Sequence, residues 1–195
     1  MANCYLVIDE ESKKGFIVDP GGFDQVLRKT IDDETIELVY IILTHGHSDH
    51  IEGVPEYKRL FPDAKVVCAE DERPMLADPH LNFTGFMGRG GLSLEPDVTV
   101  KEGDLITVGN MSFKVLMTPG HTPGGMCLYG EGVLFSGDTL FRASIGRTDF
   151  PGGSYGQIID SIQRKLFVLP DETRVFPGHE GETTIGYEKK YNPFL

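Results

Sequence analysis

The most constraining feature of this chain is the seam between Leu43 and Thr44. On one side lies ELVYIIL (Glu37–Leu43), almost continuously apolar; on the other lies THGHSDH (Thr44–His50), with three of the chain's six histidines. A strand that lacks polar alternation is one whose two faces are both buried, so its sheet must be covered on both sides. The strand therefore ends inside a layered structure, and whatever follows it is held in place by those layers. His45 and His47 are two residues apart, so on an extended segment both imidazoles point the same way and can share one ion. Asp49 and His50 follow as the chain turns into a helix, and face a neighbouring position.

The remaining candidates repeat the arrangement. His121 follows MSFKVLM in TPGHTPGG, Asp138 follows GVLFS in SGDTLF, and His179 follows TRVF in PGHEG. Strand ends that open into Gly/Pro loops are places where distant side chains converge. Only His80 stands apart, as a solvated loop residue. Imidazoles mixed with carboxylates suit zinc, iron or manganese, and the lack of thiolates in the set argues against a closed structural zinc site.

Between these points short strands alternate with helices. NCYLVID and GFIVDP read as a hairpin, and a helix is expected over residues 23–31. A second helix should run from Asp49 to about Leu60, ended by Pro62, and a third short one from Glu70 to Ala77. NFTGFMGRGGLSLEPD (residues 82–97) holds a Gly-containing loop, residues 83–97, of the kind that serves as a functional flap. VTVKEG, DLITVG and MSFKVLMT read as successive strands, followed by MCLYG and GVLFSGD. SYGQIIDSIQRKLFVLP has helical periodicity, and the tail TIGYEKKYNPFL starts helical. Strands in runs with helices between and after them point to packed sheets flanked by helices.

The formal charge of −12 excludes a generally basic nucleic-acid-binding surface. No run approaches the roughly 20 apolar residues needed to span a bilayer, and MANCYLVIDEESKK has no secretory pattern. Cys4, Cys68 and Cys127 are scattered among apolar neighbours, as expected of reduced, buried thiols in a cytoplasmic protein.

THGHSDH, TPGHTPGG, SGDTLF and FPGHE, in that order, resemble the ligand motifs of the metallo-β-lactamase superfamily, and the resemblance covers nearly the whole chain. GRTDFPGGS and the ending TIGYEKKYNPFL narrow it to the short glyoxalase II-like hydrolases. The resemblance implies an α/β fold, a four-layer αββα sandwich, in a single domain over residues 1–195. It implies two divalent ions, zinc by expectation: His45, His47 and His121 at one, Asp49, His50 and His179 at the other, with Asp138 bridging. The implied chemistry is hydrolysis of a thioester, with Asp49 and Asp138 as catalytic carboxylates. The partner is a small-molecule substrate, the chain a monomer or homodimer.

Thr44, Thr122 and Thr139 are candidates to support the ligands, or are structural threonines. Arg147 lies where the family keeps a basic residue near the substrate's carboxylate; its other reading is a loop-anchoring salt bridge with Asp149. Full-length glyoxalase II has a C-terminal helical domain that grips glutathione, whereas this chain ends sixteen residues after His179. The family's glutathione-contacting Tyr has no counterpart in PGHEGET. The nearest rival is a persulfide dioxygenase, which shares GRTDF and holds one iron through the equivalents of His45, His47, His121 and Asp138. A binding module that keeps its metals is the non-enzymatic alternative.

Overall fold

The structure, a computed structural model, describes residues 2–86 and 90–195. Its first half builds one sheet. Strands β1 (Tyr5–Asp9) and β2 (Lys14–Val18) form the expected hairpin, with Tyr5 opposite Val18. Helix α1 (Gln25–Asp33) is capped by Asp24, whose carboxylate accepts the N–H groups of Val26 and Leu27. It starts two residues later than expected because that cap, and not Phe23, opens it. Strand β3 (Glu37–Ile42) pairs in parallel with β2, and after helices α2 (Ser48–Ile51) and α3 (Val54–Leu60) strand β4 (Lys65–Ala69) pairs in parallel with β3. A 3-10 turn (Glu70–Glu72) leads into α4 (Arg73–Ala77), and β5 (Val98–Val100) closes the sheet in the order β1-β2-β3-β4-β5.

The single helix expected from Asp49 to Leu60 is in fact broken. It is interrupted at Gly53, whose N–H leaves the helix to donate to the Pro20 carbonyl, and the Pro20–Gly22 backbone passes so close there that only glycine fits. A Cβ on Gly53 would lie 2.5 Å from the Gly22 carbonyl oxygen and 2.6 Å from that of Pro20, to which the Gly53 N–H donates at 2.8 Å.

The second half builds the other sheet from β6 (Leu105–Val108), β7 (Met111–Met117), β8 (Met126–Gly130) and β9 (Val133–Gly137), all antiparallel neighbours. A small hairpin follows, β10 (Leu140–Phe141) with β11 (Ser144–Ile145), and was not foreseen. Helix α5 (Tyr155–Ser161) continues through a π turn (Ile162–Leu166). Strand β12 (Arg174–Pro177) pairs in parallel with β9; β13 (Thr183–Thr184) and α6 (Ile185–Tyr191) complete the order β13-β12-β9-β8-β7-β6. The strands VTV and LITV, adjacent in sequence, therefore belong to different sheets. Residues 87–89 of the loop expected to act as a flap lie outside the described residues; the preceding segment forms a 3-10 turn (Thr84–Phe86).

Strand periodicity sorts the core into three interfaces. Phe16, Val18, Ile42 and Val67 from the first sheet meet Phe113, Val115, Leu128 and Phe135 from the second. Their sequence neighbours point the other way: Ile17, Ile41, Leu43, Val66 and Cys68 pack against the helical layer containing Ile31, Val54 and Tyr57. Leu116, Cys127 and Leu134 likewise pack against Ile158, Ile162 and Leu166. Three apolar interfaces make four layers, the expected αββα sandwich. Both buried thiols are shielded, and burial pushes Cys68 up to about 12 and Cys127 to about 11, so both stay protonated.

Among the described residues no helix is long and apolar enough to cross a membrane. Phe16 is fully buried where the two sheets meet, with its ring edge-on to Phe113 at 5.2 Å and to Phe135 at 6.3 Å. Phe16→Ala should lower unfolding stability by about 3–5 kcal/mol, measured by urea denaturation.

Candidate metal centre

All seven predicted ligand-type residues come together at one edge of the sandwich. His45 and His47 leave β3, His121 follows β7, Asp138 follows β9, and His179 follows β12. Ligand atoms of His45, His47 and His121 lie within 4.8 Å of one another, as do those of Asp49, His50 and His179. Asp138 stands between the two groups. Its Oδ2 is 3.5 Å from His121 Nε2 and 3.6 Å from His179 Nε2, and its Oδ1 is 3.4 Å from His50 Nε2.

The rings are aimed by bonds on their far sides. Asp19 accepts the Thr44 N–H at 2.7 Å, the Thr44 hydroxyl at 2.6 Å and His50 Nδ1–H at 3.0 Å. Thr44 Oγ1, having donated to Asp19, accepts from His45 Nδ1 at 3.2 Å. His121 Nδ1 donates to the Arg147 carbonyl oxygen at 2.7 Å. In each case the outward bond fixes the tautomer and leaves Nε2 facing inward. His47 differs in presenting Nδ1, 2.9 Å from His121 Nε2. That is close to the separation of about 3.3 Å between two nitrogens bound tetrahedrally to one zinc ion.

Glu72 ties together the two loops that carry the histidine trio. Its carboxylate accepts the N–H of Gly46, between His45 and His47, at 2.8 Å, and on the other loop the Thr122 hydroxyl at 3.0 Å and the Gly124 N–H at 2.8 Å. Sequence reading missed both Asp19 and Glu72. Asp19 in VDP and Glu72 in AEDERP both lie outside the ligand motifs. Of the threonines singled out, only Thr44 touches a candidate ligand; Thr122 holds Glu72, and Thr139 bonds Thr118 at 2.9 Å. Arg147 makes a two-bond pair with Asp149, at 2.7 Å each, and lies 3.7 Å over the Phe150 ring. Its side chain thus forms the loop anchor, while its backbone carbonyl serves His121. His80 is exposed, as expected.

Charge divides the site. Burial holds His45 well below the usual imidazole range, brings His47 down to about 4, and lowers His121 against the pull of Asp138. The trio is therefore neutral, the form in which imidazole binds metal. On the other side burial opposes charge on His50, but Asp19 and Asp138 outweigh it and raise His50 to about 10. Burial likewise opposes ionisation of Asp49 and Asp138, and nearby histidines overcome it to hold both carboxyls low. A bond to Asp49 raises His179.

Buried polar atoms in a fold are ordinarily hydrogen-bonded. Among the described residues, five buried side-chain polar atoms have no such partner, and four belong here: His45 Nε2, His47 Nε2, His50 Nε2 and Asp138 Oδ1. The inward-facing, unpartnered Nε2 atoms of His45 and His50 beside ionised carboxylates fit divalent cations; the unpartnered nitrogen of His47 is not the one it presents.

The family model of the metallo-beta-lactamase superfamily matches residues 1–179. The chain belongs to the metallo-beta-lactamase superfamily. Proteins of this superfamily are in general hydrolytic metalloenzymes and bind divalent metal ions, typically two. Among its relatives, the hydroxyacylglutathione hydrolase GloC of Haemophilus influenzae is 36% identical over 197 residues, covering 99% of this chain and 92% of that protein. Among solved structures, the B3 metallo-beta-lactamase BLEG-1 is 39% identical with a TM-score of 0.91, covering 100% of this chain and 94% of that one. TTHA1623 in a di-iron-bound form is 33% identical with a TM-score of 0.85, covering 100% and 96%. ETHE1 from Myxococcus xanthus is 33% identical with a TM-score of 0.79, covering 97% and 77%.

The Glu72 strut gives this superfamily member a pH-dependent stability. Burial raises the Glu72 carboxyl from 4.5 to about 7, against the three donors that pull it down. Between those values the folded chain holds a proton that the unfolded chain has lost, so this group's contribution to stability falls as pH rises. Wild-type protein should therefore lose up to about 3 kcal/mol relative to Glu72→Gln between pH 4.5 and 7, measured by urea unfolding of metal-free protein at each pH.

Proposed function

We propose that this protein is a dinuclear metal-dependent hydrolase that cleaves a thioester such as S-lactoylglutathione or a related acyl-thiol. The observation that carries the reading is the position of Asp138, whose two oxygens face His50 on one side and His121 and His179 on the other. One carboxylate shared by two ligand groups suits a pair of ions better than one. His45, His47 and His121 would hold the first ion and Asp49, His50 and His179 the second, with Asp138 common to both. Zinc is the expected metal, with iron or manganese as alternatives. The metals, when bound, would acidify a water and polarise the substrate carbonyl.

The chain's own contribution is orientation. Asp49 Oδ2, 3.1 Å from His179 Nε2, is kept ionised and accessible, with 41% of its side chain exposed; it can orient an incoming water as a hydrogen-bond acceptor. Asp19, Thr44 and the Arg147 carbonyl keep their partner imidazoles from rotating. Arg147 sits at the edge of this reading, since Asp149 already holds its Nε and one Nη, and a substrate carboxylate would share the guanidinium with it. The 36% identity to a hydroxyacylglutathione hydrolase over nearly the whole chain supports the thioester class.

A mononuclear iron persulfide dioxygenase is the second reading. It is favoured by the unequal burial of the two groups: His45, His47 and His121 are 2–5% exposed, whereas the side chains of Asp49 and His179 are 41% and 31% exposed. Protein of measured metal content should release thiol from S-lactoylglutathione, lose that activity on chelation, and regain it with two equivalents of metal. One iron per chain, with oxygen consumed on glutathione persulfide and no thioester cleaved, overturns the hydrolase reading.

Gly178 offers a finer check. A Cβ there would lie 2.2 Å from Asp138 Oδ1 and 2.7 Å from His50 Cε1. Gly178→Ala should displace the shared carboxylate and lower the retained metal from two ions per chain towards one, read by elemental analysis after dialysis, with activity falling by at least tenfold.

A further inference from the structure

The segments that deliver Asp138 and His179 do not end at the ligands. Four residues past Asp138 the β10–β11 hairpin turns at Arg142, and three residues past His179 the chain reaches Glu182 and enters β13. Both leave the cluster beside His179, whose side chain is 31% exposed; the Phe141 ring, next to Arg142, stands edge-on to it at 6.0 Å. Where they meet α6 they frame a cavity of about 210 Å³, lined by Arg142, Arg174, Glu182, Thr183, Thr184 and Tyr187. Pockets that take up a whole small molecule are larger, roughly 300–1,000 Å³. This one suits one end of a ligand whose other end lies elsewhere.

The cavity is built around a buried acid that the metal cluster does not use. Glu188 of α6 is fully buried, and its side-chain oxygens accept the Thr183 hydroxyl at 2.6 Å, the Ala143 N–H at 2.9 Å and the Asn192 amide at 2.8 Å. Asn192 also donates to the Ser144 carbonyl at 3.0 Å. Hairpin tip, edge strand and helix are thus clamped together, so the cavity keeps its shape before any ligand arrives.

Arg142, at the clamped tip, has its guanidinium 5.6 Å over the Tyr187 ring. The six other described arginines each contact a carboxylate. Among the described residues Arg142 is the one arginine that none holds, and residues 1 and 87–89 include no acid. The other charges lining the cavity, Arg174 and Glu182, bond each other at 2.7 Å. In a chain of formal charge −12 acids are plentiful, so a guanidinium left unpaired at a cavity points to an acid supplied from outside.

We propose that Arg142, stacked on Tyr187, is the carrier subsite: it binds a carboxylate on the thiol half of the substrate and makes the enzyme prefer thioesters of a carboxylate-bearing thiol to those of an uncharged one. This rests on the thioester reading above and deepens it. Stacking on a ring leaves the N–H edge of a guanidinium free to take a carboxylate by two parallel bonds. The reach is adequate. Chain length alone keeps the Glu182 Cα within about 11 Å of that of His179, and the Arg142 Cα within about 14 Å of that of Asp138. A thiol carried on a short peptide has its carboxylates within two residues of the cysteine, about 7 Å, and the arginine side chain spans the remainder. S-lactoylglutathione, whose tripeptide carries a carboxylate at each end, has the required group.

The test compares S-lactoylglutathione with S-lactoyl-N-acetylcysteamine, the same acyl group on an uncharged thiol, using protein of measured metal content. Wild type should favour the glutathione thioester in kcat/KM by about tenfold. Arg142→Gln should remove most of that preference through KM and not kcat, because the contact lies away from the reacting carbonyl. Arg142→Lys should keep part of it. Calorimetric titration with S-methylglutathione, which has no thioester to cleave, should show about a tenfold loss of affinity in Arg142→Gln at equal metal content. Arg164→Gln removes the same charge from the exposed pair with Asp160 and should keep the wild-type preference. An undiminished preference in Arg142→Gln, an equal loss on both thioesters, or the same effect from Arg164→Gln overturns the subsite and leaves the thioester reading in place. Failure of metal-loaded wild type to cleave either thioester overturns both.

Discussion

The arrangement depends on one buried carboxylate. Asp19, 1% exposed at the end of β2, accepts bonds from the Thr44 N–H, the Thr44 hydroxyl and His50. Through Thr44 it also orients His45. A carboxylate this deep is tolerable only when its lone pairs are filled by donors, and here the donors are groups that must be aimed. One residue thereby locks the ends of two neighbouring strands together and sets imidazoles that face different sides of the cluster.

Asp19 can do this because the layers around it are rigid. β2 and β3 are buried on both faces, by the opposite sheet and by the helical layer, so their C-terminal ends have little freedom. The second sheet delivers Asp138 and His179 from the parallel pair β9 and β12, whose ends lie side by side. At that junction the lack of a side chain on Gly178 matters as much as the ligands do. Asp138 Oδ1 and His50 Cε1 occupy the space that a Cβ would fill.

The same scaffold produces two electrostatic environments within a few ångströms. His45, His47 and His121 are buried among themselves and kept neutral, whereas Asp49, Asp138 and Asp19 gather negative charge around His50 and His179. The neutral side is also where Phe83 and Phe150 pack, and the charged side is the more open to solvent. A substrate entering such a site meets apolar surface on one flank and water and carboxylate on the other.

Local patterns were enough to find the ligands and the layers. HxH spacing, unbroken apolar strands and Gly/Pro loops after strands act over a few residues, and each appears in the chain without reference to the fold. The residues that make the ligands work were invisible at that range. Asp19 reaches partners 25 and 31 residues away, Glu72 partners 26, 50 and 52 away, and the Arg147 contribution is a backbone carbonyl that no side-chain pattern could announce. The break at Gly53 likewise comes from the Pro20 carbonyl, and the left-handed Phe83 (φ 68°) lies between Asn82 and Thr84, which bond Leu76 and Leu92. By itself the sequence determined which groups can bind metal and that they sit at the ends of buried strands, because strand periodicity and ligand chemistry are local properties. Only the tertiary structure decided which nitrogen each histidine presents, which carboxylate is shared and which flank is aromatic, because those follow from contacts between segments that meet only once the layers are packed.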